Sequence, residues 1–207
     1  MNAAMQSILD VLWNSRRNRW IFLGACGIVL LIVLYALARD PVELPSSFVA
    51  ARSSASAVSR EIVSLTGETN AKIREANSLD LRGDSEKARF LIRDARDANG
   101  LAYQRAFELS QYLQKLTESL QDVPSSHSQR LAYEAIAVEL SLVSEFINYT
   151  QNLNTFLERL EQAIATGLSQ DRTFAEATLR GVNDKASRIN DLNEEFLAKM
   201  REFDESL

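Results

Sequence analysis

The sequence has little of the chemistry that metal sites and enzymes use, with one cysteine and one histidine in 207 residues. A single cysteine excludes a disulfide framework and any zinc or iron–sulfur site built from several cysteines. A single histidine, His127, leaves too few ligands for a histidine-rich metal centre and only one base for Ser-His or Cys-His catalysis. We therefore predict no catalytic residues, no metal and no cofactor, and we expect the chain not to be an enzyme.

An excess of positive charge is also missing. Beyond Asp40 the chain has 19 Lys and Arg residues against 26 Asp and Glu residues, a net charge of −7. An acidic domain without a basic stripe repels the phosphate backbones of DNA and RNA. We therefore expect no nucleic-acid partner.

One long hydrophobic run is present, the 19 residues 20–38, and it contains no charged or strongly polar side chain. About 20 apolar residues, each rising about 1.5 Å along a helix, cross the hydrocarbon core of a bilayer. Trp20 and Tyr35 lie near the two ends of the run, where amphipathic rings favour the headgroup boundary. The run predicts a single transmembrane helix.

Cations on one side of this run predict its orientation. Arg16, Arg17 and Arg19 precede it, whereas Arg39 after it is followed at once by Asp40. The positive-inside rule places the side that is richer in arginine in the cytoplasm. We therefore expect a cell-membrane protein whose C-terminal domain is extracytoplasmic.

The same run leaves a second interpretation open, because Ala36-Leu37-Ala38 has the small-x-small spacing that a signal peptidase accepts. The run is longer than the 7–15 residues typical of a signal peptide, which favours an uncleaved signal anchor. Cleavage after Ala38 would instead release a secreted protein. The predicted organisation is a cytoplasmic juxtamembrane segment (1–19), the signal-anchor helix (20–38), a linker (39–46) and a helical domain (47–207).

The helical domain is rich in Ala, Leu, Glu, Arg, Gln and Ser, and Pro124 is its only proline. This composition, without alternating β patterns, is typical of an all-α protein. Turn signals around Gly83, Pro124 and Gly167 divide it into helices of similar length. Ser126 with Gln129 three residues later resembles a capping box. The predicted helices cover 47–82, 84–122, 126–166 and 170–205.

Apolar residues recur at alternating intervals of three and four in each predicted helix, which is the spacing of a coiled-coil seam. In the second helix the seam residues are Ala88, Leu91, Ala95, Ala98, Ala102, Ala106, Leu109, Leu113, Leu116 and Leu120. In the third they are Leu131, Ala135, Val138, Leu142, Phe146, Tyr149, Leu153, Phe156, Leu160 and Ala163. Four such helices joined by short loops bury their seams by lying antiparallel, so we predict an extracytoplasmic up-down-up-down four-helix bundle with long, coiled-coil-like helices.

Two further interpretations concern the glycine residues inside the predicted helices. Asn99-Gly100 is a turn signal that could split the second helix into shorter pairs, as in a solenoid. In the unbroken bundle, Gly67, Gly100 and Gly181 fall near one height. Because a glycine inside a helix costs about 0.5–1 kcal/mol relative to alanine, this level is our candidate for a hinge or a pocket.

Long seams without a convergent polar site are typical of surfaces that bind helices and partners. We therefore expect a non-enzymatic, membrane-anchored scaffold or adaptor that presents the bundle for protein–protein interaction or self-association. The alternative is an extracytoplasmic sensory or ligand-binding four-helix domain, which would contain an internal polar cavity. No sequence motif supports a particular small-molecule ligand.

Overall fold

The computed structural model describes residues 44–123 and 125–206. Four long helices make up almost all of this part: α1 (Ser46–Leu81), α2 (Ser85–Ser119), α3 (Ser126–Thr166) and α4 (Ser169–Glu205). A single 3₁₀ turn, Leu120–Asp122, follows α2, and these two ranges contain no strand. The predicted all-α class is confirmed, and the predicted helix limits agree with the observed ones to within three residues.

The predicted membrane segment 20–38 and the juxtamembrane segment 1–19 lie outside the described residues, as does the linker up to residue 43. In the part of the chain that the structure describes, no helix combines the length and the apolar character needed to cross a bilayer. The membrane anchor therefore stays a prediction from the sequence.

Glycine ends two of the four helices, as predicted. Gly83 has φ of +84° and donates its N–H to the Asp80 carbonyl at 3.0 Å, which closes the last turn of α1. Gly167 has φ of +66° and donates to the Ala163 carbonyl at 3.0 Å at the end of α3. Both glycines adopt the left-handed conformation that side chains with a Cβ avoid, so the chain reverses direction at these points.

The predicted capping box at Ser126 is wrong by one residue. Ser125 is the N-cap of α3, because its backbone is extended and its hydroxyl accepts the Ser128 N–H at 3.3 Å. Ser126 is instead the first helical residue. The Gln129 amide donates to the Val123 carbonyl at 2.7 Å, so it holds the preceding loop rather than the cap.

Ion pairs between neighbouring helices show that successive helices run antiparallel, because residue numbers rise on one helix as they fall on the next. They are Glu61–Arg105 (2.7 Å) and Lys72–Asp94 (3.4 Å) between α1 and α2, Arg93–Glu161 (2.9 Å) and Arg96–Glu158 (2.8 Å) between α2 and α3, and Glu145–Lys185 (2.7 Å) and Glu134–Lys199 (2.9 Å) between α3 and α4. The rings of Phe48 and Phe203 meet at 6.0 Å, so the start of α1 and the end of α4 lie at one end of the bundle. The architecture is a helical bundle of two hairpins, α1–α2 and α3–α4, joined through α2 and α3.

The apolar core extends along the bundle in two adjoining clusters, one near each end. Nearly all the predicted seam residues of α2 are buried, although Leu91 is half-buried and its neighbour Ile92 takes the fully buried position. In α3 the prediction is less accurate. Val138 and Leu142 are half-buried, whereas Ile136 and Val143 face the core.

The alternative in which Asn99-Gly100 breaks the second helix is wrong, because α2 is continuous from Ser85 to Ser119. Asn99 is buried, and its side-chain amide donates to the Thr150 carbonyl of α3 at 2.8 Å. A buried amide needs such a partner, so Asn99 links two helices here instead of forming a turn.

The three glycines of the candidate hinge lie at similar heights. The pairs Lys72–Asp94 and Glu61–Arg105 place Gly67 beside Gly100, and a Cβ at Gly181 would lie 3.9 Å from the Asn152 side chain. A Cβ at Gly67 or at Gly100 would meet no atom within 4 Å. Close helix approach therefore does not explain these two glycines, and the hinge or pocket role stays a prediction.

We expect Gly67→Ala and Gly100→Ala each to raise the free energy of unfolding by about 0.5–1 kcal/mol, because alanine restricts the unfolded chain and fits without a clash. Urea unfolding of the full-length protein, followed by circular dichroism, measures this change. Gly83→Ala is the matched control and should lower stability, since its φ of +84° disfavours a Cβ. Destabilisation by Gly67→Ala or Gly100→Ala would contradict the open space seen around them.

Candidate functional site

Of the residues predicted to matter for function, Arg16, Arg17, Arg19, Trp20 and Tyr35 lie outside the described residues. Gly67, Gly100 and Gly181 lie inside continuous helices, as described above. The structure instead shows two features that the sequence analysis missed. One is an internal gap between α1 and α4, and the other is an open groove on the outer face of α3 and α4.

The helices α1 and α4 stand farther apart than the other neighbouring pairs of the bundle. Two ion pairs, Arg52–Asp204 (3.6 Å) and Asp80–Arg172 (3.4 Å), join α1 and α4 near their ends. Between them, small side chains of α1 such as Ala55 and Ser59 face the gap. Side chains this short do not fill the space between separated backbones, which leaves voids at this interface.

Two cavities of about 60 Å³ and 50 Å³ occupy this gap, which we call the α1–α4 seam. Ser59 of α1 and Glu139 of α3 line both cavities, so these two residues lie where the cavities adjoin. The larger cavity is otherwise bordered mainly by apolar residues such as Phe196 and Met200, and the smaller by residues such as Val63 and Ile189. The seam is therefore an apolar space with a polar centre.

Glu139 is the unusual residue of this space. It forms no ion pair or hydrogen bond within residues 44–123 and 125–206. Burial raises the pKa of its carboxyl group from 4.5 to about 7, and the more distant charge of Arg52 opposes this shift. Glu139 is half-buried between these apolar walls, so its carboxylate is only partly hydrated, and this favours the protonated form.

A second polar group on α4 lies at the same height. The ion pairs Glu145–Lys185 (2.7 Å) and Glu134–Lys199 (2.9 Å) set the register of α3 against α4 and place Asn193 opposite Glu139. Asn193 is 1% exposed, and its side-chain oxygen has no hydrogen-bond partner among the described residues. The centre of the bundle thus holds polar groups whose hydrogen-bonding capacity is not used.

Glu139 could have been found from the sequence. It follows Ala135 by four residues and precedes Val143 by four, and both of these face the core. A charged residue at a core-facing position is a recognisable exception to the heptad pattern. The predicted seam passed instead through Val138 and Leu142, each one residue before the core-facing positions Glu139 and Val143, and so left Glu139 out.

The groove on the outer face of α3 and α4 is a shallow depression that is open to solvent. Ala137, Ser141 and Ser144 form its floor on α3, at intervals of four and three residues along one face of the helix. Leu140 is 40% exposed at its edge. Small side chains at this spacing expose the backbone surface of α3 to close approach by another helix.

Charged residues border this groove on both helices. Glu145 of α3 is paired with Lys185 of α4. Arg188 and Glu195 are exposed, and neither forms an ion pair in the described part of the chain. They lie seven residues apart, so they project from the same face of α4 with a separation of about 10 Å. The groove therefore has one unpaired charge of each sign along its length.

Other candidates for chemistry are sparse. His127 lies exposed in the first turn of α3, next to Ser126 and Ser128. No group of three or more His, Cys, Asp or Glu side chains suited to a metal ion occurs in the described ranges. The charged cluster of Arg89, Arg93 and Glu161 joins α2 to α3 across the bundle surface.

Comparison with known proteins does not add a functional assignment. The chain matches no protein-family model, and neither the curated proteins nor the solved structures contain a significant match to it.

The raised pKa of Glu139 predicts how stability depends on pH. The folded protein holds the Glu139 proton up to about pH 7, whereas the unfolded chain releases it near its ordinary pKa of 4.5. The folded state therefore binds the proton more tightly between these values, and the free energy of unfolding falls as pH rises from about 4.5 to about 7. The fall amounts to at most about 3 kcal/mol.

Urea unfolding of the full-length protein at several pH values between about 5 and 8 measures this fall. Glu139→Gln should remove it and should be more stable than the native protein at about pH 8, because the amide has the same shape and no charge to bury. Glu194→Gln, on the exposed face of α4, is the matched control and should keep it. Equal pH dependence in the native protein and in Glu139→Gln would refute the assignment.

Proposed function

We propose that the chain is a non-enzymatic, membrane-anchored scaffold or adaptor, whose extracytoplasmic helical bundle binds a helix of another protein in the α3–α4 groove. The observation that supports this proposal most directly is the groove itself, a shallow, solvent-exposed depression bordered by one unpaired charge of each sign. Its floor of small residues and its leucine edge fit the ridge of side chains that an amphipathic helix presents.

The unpaired charges define the chemistry of this partner. Arg188 attracts an acidic side chain, and Glu195 attracts a basic one about 10 Å farther along the groove. A partner helix with an acidic and a basic residue seven positions apart, on either side of an apolar stripe, meets both charges at once. Complementary charges of this kind select orientation and register more than they raise affinity.

The membrane anchor in this proposal rests on the sequence alone. The run 20–38 has the length and the apolar character of a membrane-spanning helix, and the arginines before it favour a cytoplasmic N-terminus. In this arrangement the first residues of α1, the loop between α2 and α3, and the end of α4 would lie nearest the membrane. The Gly83 and Gly167 turns would lie farthest from it.

A second candidate function is an extracytoplasmic sensory or ligand-binding domain. It is favoured by the α1–α4 seam, which has two cavities and the unpaired carboxyl group of Glu139 at its centre. Ser59, at this polar centre, lies eight residues, or roughly 12 Å, before Gly67 of the glycine level that we selected from the sequence. The scaffold remains the first proposal, because the cavities are small and the groove is directly accessible to another protein.

Charge reversal at the groove tests the scaffold proposal. We expect Arg188→Glu to weaken the complex by about tenfold or more, because it repels the acidic residue that the partner presents there. Native mass spectrometry of the full-length protein, purified from its own membranes in mild detergent, measures the fraction that retains a stoichiometric partner. Ser141→Trp, which fills the groove floor, should have the same effect.

Arg180→Glu is the matched control, since Arg180 is also an exposed arginine of α4 but lies outside the groove. It should leave the complex intact. A partner that stays bound to both Arg188→Glu and Ser141→Trp would show that the groove is not the docking surface. A monomer that carries a reproducible small mass instead would favour the ligand-binding function.

A further inference from the structure

The charges that face the α1–α4 seam do not balance. Arg52 of α1 and Asp204 of α4 lie at one end of the seam and form an ion pair at 3.6 Å. From α3 comes Glu139, which has no counter-ion within ion-pair distance in the described residues. The side chains of α2 that line the cavities, Ala106, Leu109 and Leu116, are all uncharged. With Glu139 ionised, the seam therefore holds one negative charge in excess.

The polar and apolar parts of the seam are arranged in a fixed order. Glu139 and Ser59 stand at the junction of the two cavities, and their oxygen atoms can accept hydrogen bonds there. Away from this junction the walls are largely apolar, with Phe196 and Met200 on one side and Val63, Phe146 and Ile189 on the other. A molecule that matches this order has a cationic, hydrogen-bond-donating head and a short apolar tail.

We propose that the α1–α4 seam is a binding site for a small primary alkylammonium ion, with its ammonium group on Glu139 and Ser59 and its alkyl chain in one of the two cavities. The ammonium group supplies the missing counter-ion and three N–H donors. The alkyl chain fills space that is otherwise lined by apolar side chains.

The cavities limit the size of this ligand. Their volumes of about 60 and 50 Å³ are less than half of the roughly 150 Å³ that binds benzene in an apolar protein cavity. A short unbranched chain fits, whereas a bulky or branched one does not. A polyamine is disfavoured too, because its second charge would lie against the apolar walls without a partner.

Binding of such a cation is linked to the ionisation of Glu139. The site needs the carboxylate form, and burial keeps the pKa of this carboxyl group at about 7 in the free protein. Affinity for the ammonium ion should therefore rise about tenfold between about pH 6 and pH 8, as the ionised fraction of Glu139 rises from roughly a tenth to nine-tenths.

The test uses ethylammonium chloride at up to tens of millimolar, with the full-length protein in mild detergent, and sodium chloride of equal concentration as the salt control. Thermal unfolding at about pH 8 should show a saturable increase in Tm with ethylammonium, because a ligand that binds the folded state stabilises it. Ethanol, with the same chain but no charge, should give a smaller increase. The apparent affinity should be about tenfold weaker at about pH 6.

Variants at residue 139 complete the test. Glu139→Gln should lose the response to ethylammonium and keep the small response to ethanol, whereas Glu139→Asp should retain the pH-dependent response because it keeps the charge. The proposal is overturned if ethylammonium gives no saturable shift, which would mean that the cavities hold water only, or if Glu139→Gln responds like the native protein. This site is separate from the α3–α4 groove, so Arg188→Glu should leave the response unchanged, and failure of one proposal does not bear on the other.

Discussion

The packing of α2 against both α1 and α3 is the constraint on which the rest of the structure depends. On α2, the buried face is largely alanine over its first half, including Ala88, Ala95, Ala98, Ala102 and Ala106. Such small side chains let neighbouring backbones approach closely, and the α1–α2 hairpin is the most closely joined pair of helices. Because α1 is drawn towards α2, it is held away from α4, and the α1–α4 seam remains partly unfilled.

Buried polar groups set the alignment of the helices more narrowly than the apolar contacts do. Apolar seams with a heptad repeat allow a helix to slide by one repeat at little cost in buried area. The bond from Asn99 to the Thr150 carbonyl would be broken by such a slide, and the Asn99 amide would then be buried without a partner, whereas the Thr150 carbonyl would keep its backbone bond within α3. Thr66 bonds within its own helix, to the Ile62 carbonyl, and so does not select a register. The interhelix bond of Asn99 therefore favours one alignment of α2 with α3.

Much of the fold could be predicted from local patterns. Gly83, Gly167 and the Pro124 region end helices for reasons that involve only a few neighbouring residues, and the three-four spacing shows that the helices pack along their whole length. The core-facing residues of α3 were predicted less well. The predicted pair, Val138 and Leu142, is as apolar as the observed pair, Ile136 and Val143. Which set faces inward depends on how α3 packs between α2 and α4, and this is a property of the whole bundle.

The candidate site could not be predicted in the same way. A cavity is the difference between the volume enclosed by four helices and the volume of the side chains that project into it, and no local pattern contains that difference. The distance between α1 and α4 is set by contacts that each of them makes with other helices. The sequence shows Glu139 as a charged residue beside the predicted core positions of α3. Its raised pKa follows from its burial without a partner, which depends on how the four helices assemble.

The two ion pairs between α1 and α4 have a mechanical consequence. Arg52–Asp204 and Asp80–Arg172 hold α1 at points 28 residues apart, a span of roughly 42 Å along the helix. Between these points α1 forms no ion pair with α4 in the described ranges, and its position is set by its packing against α2. This stretch includes Ser59, which lines both cavities, so the width of the seam there depends on the α1–α2 hairpin rather than on a direct bond to α4. The two ion pairs thus frame an opening whose middle is positioned from the opposite side of α1.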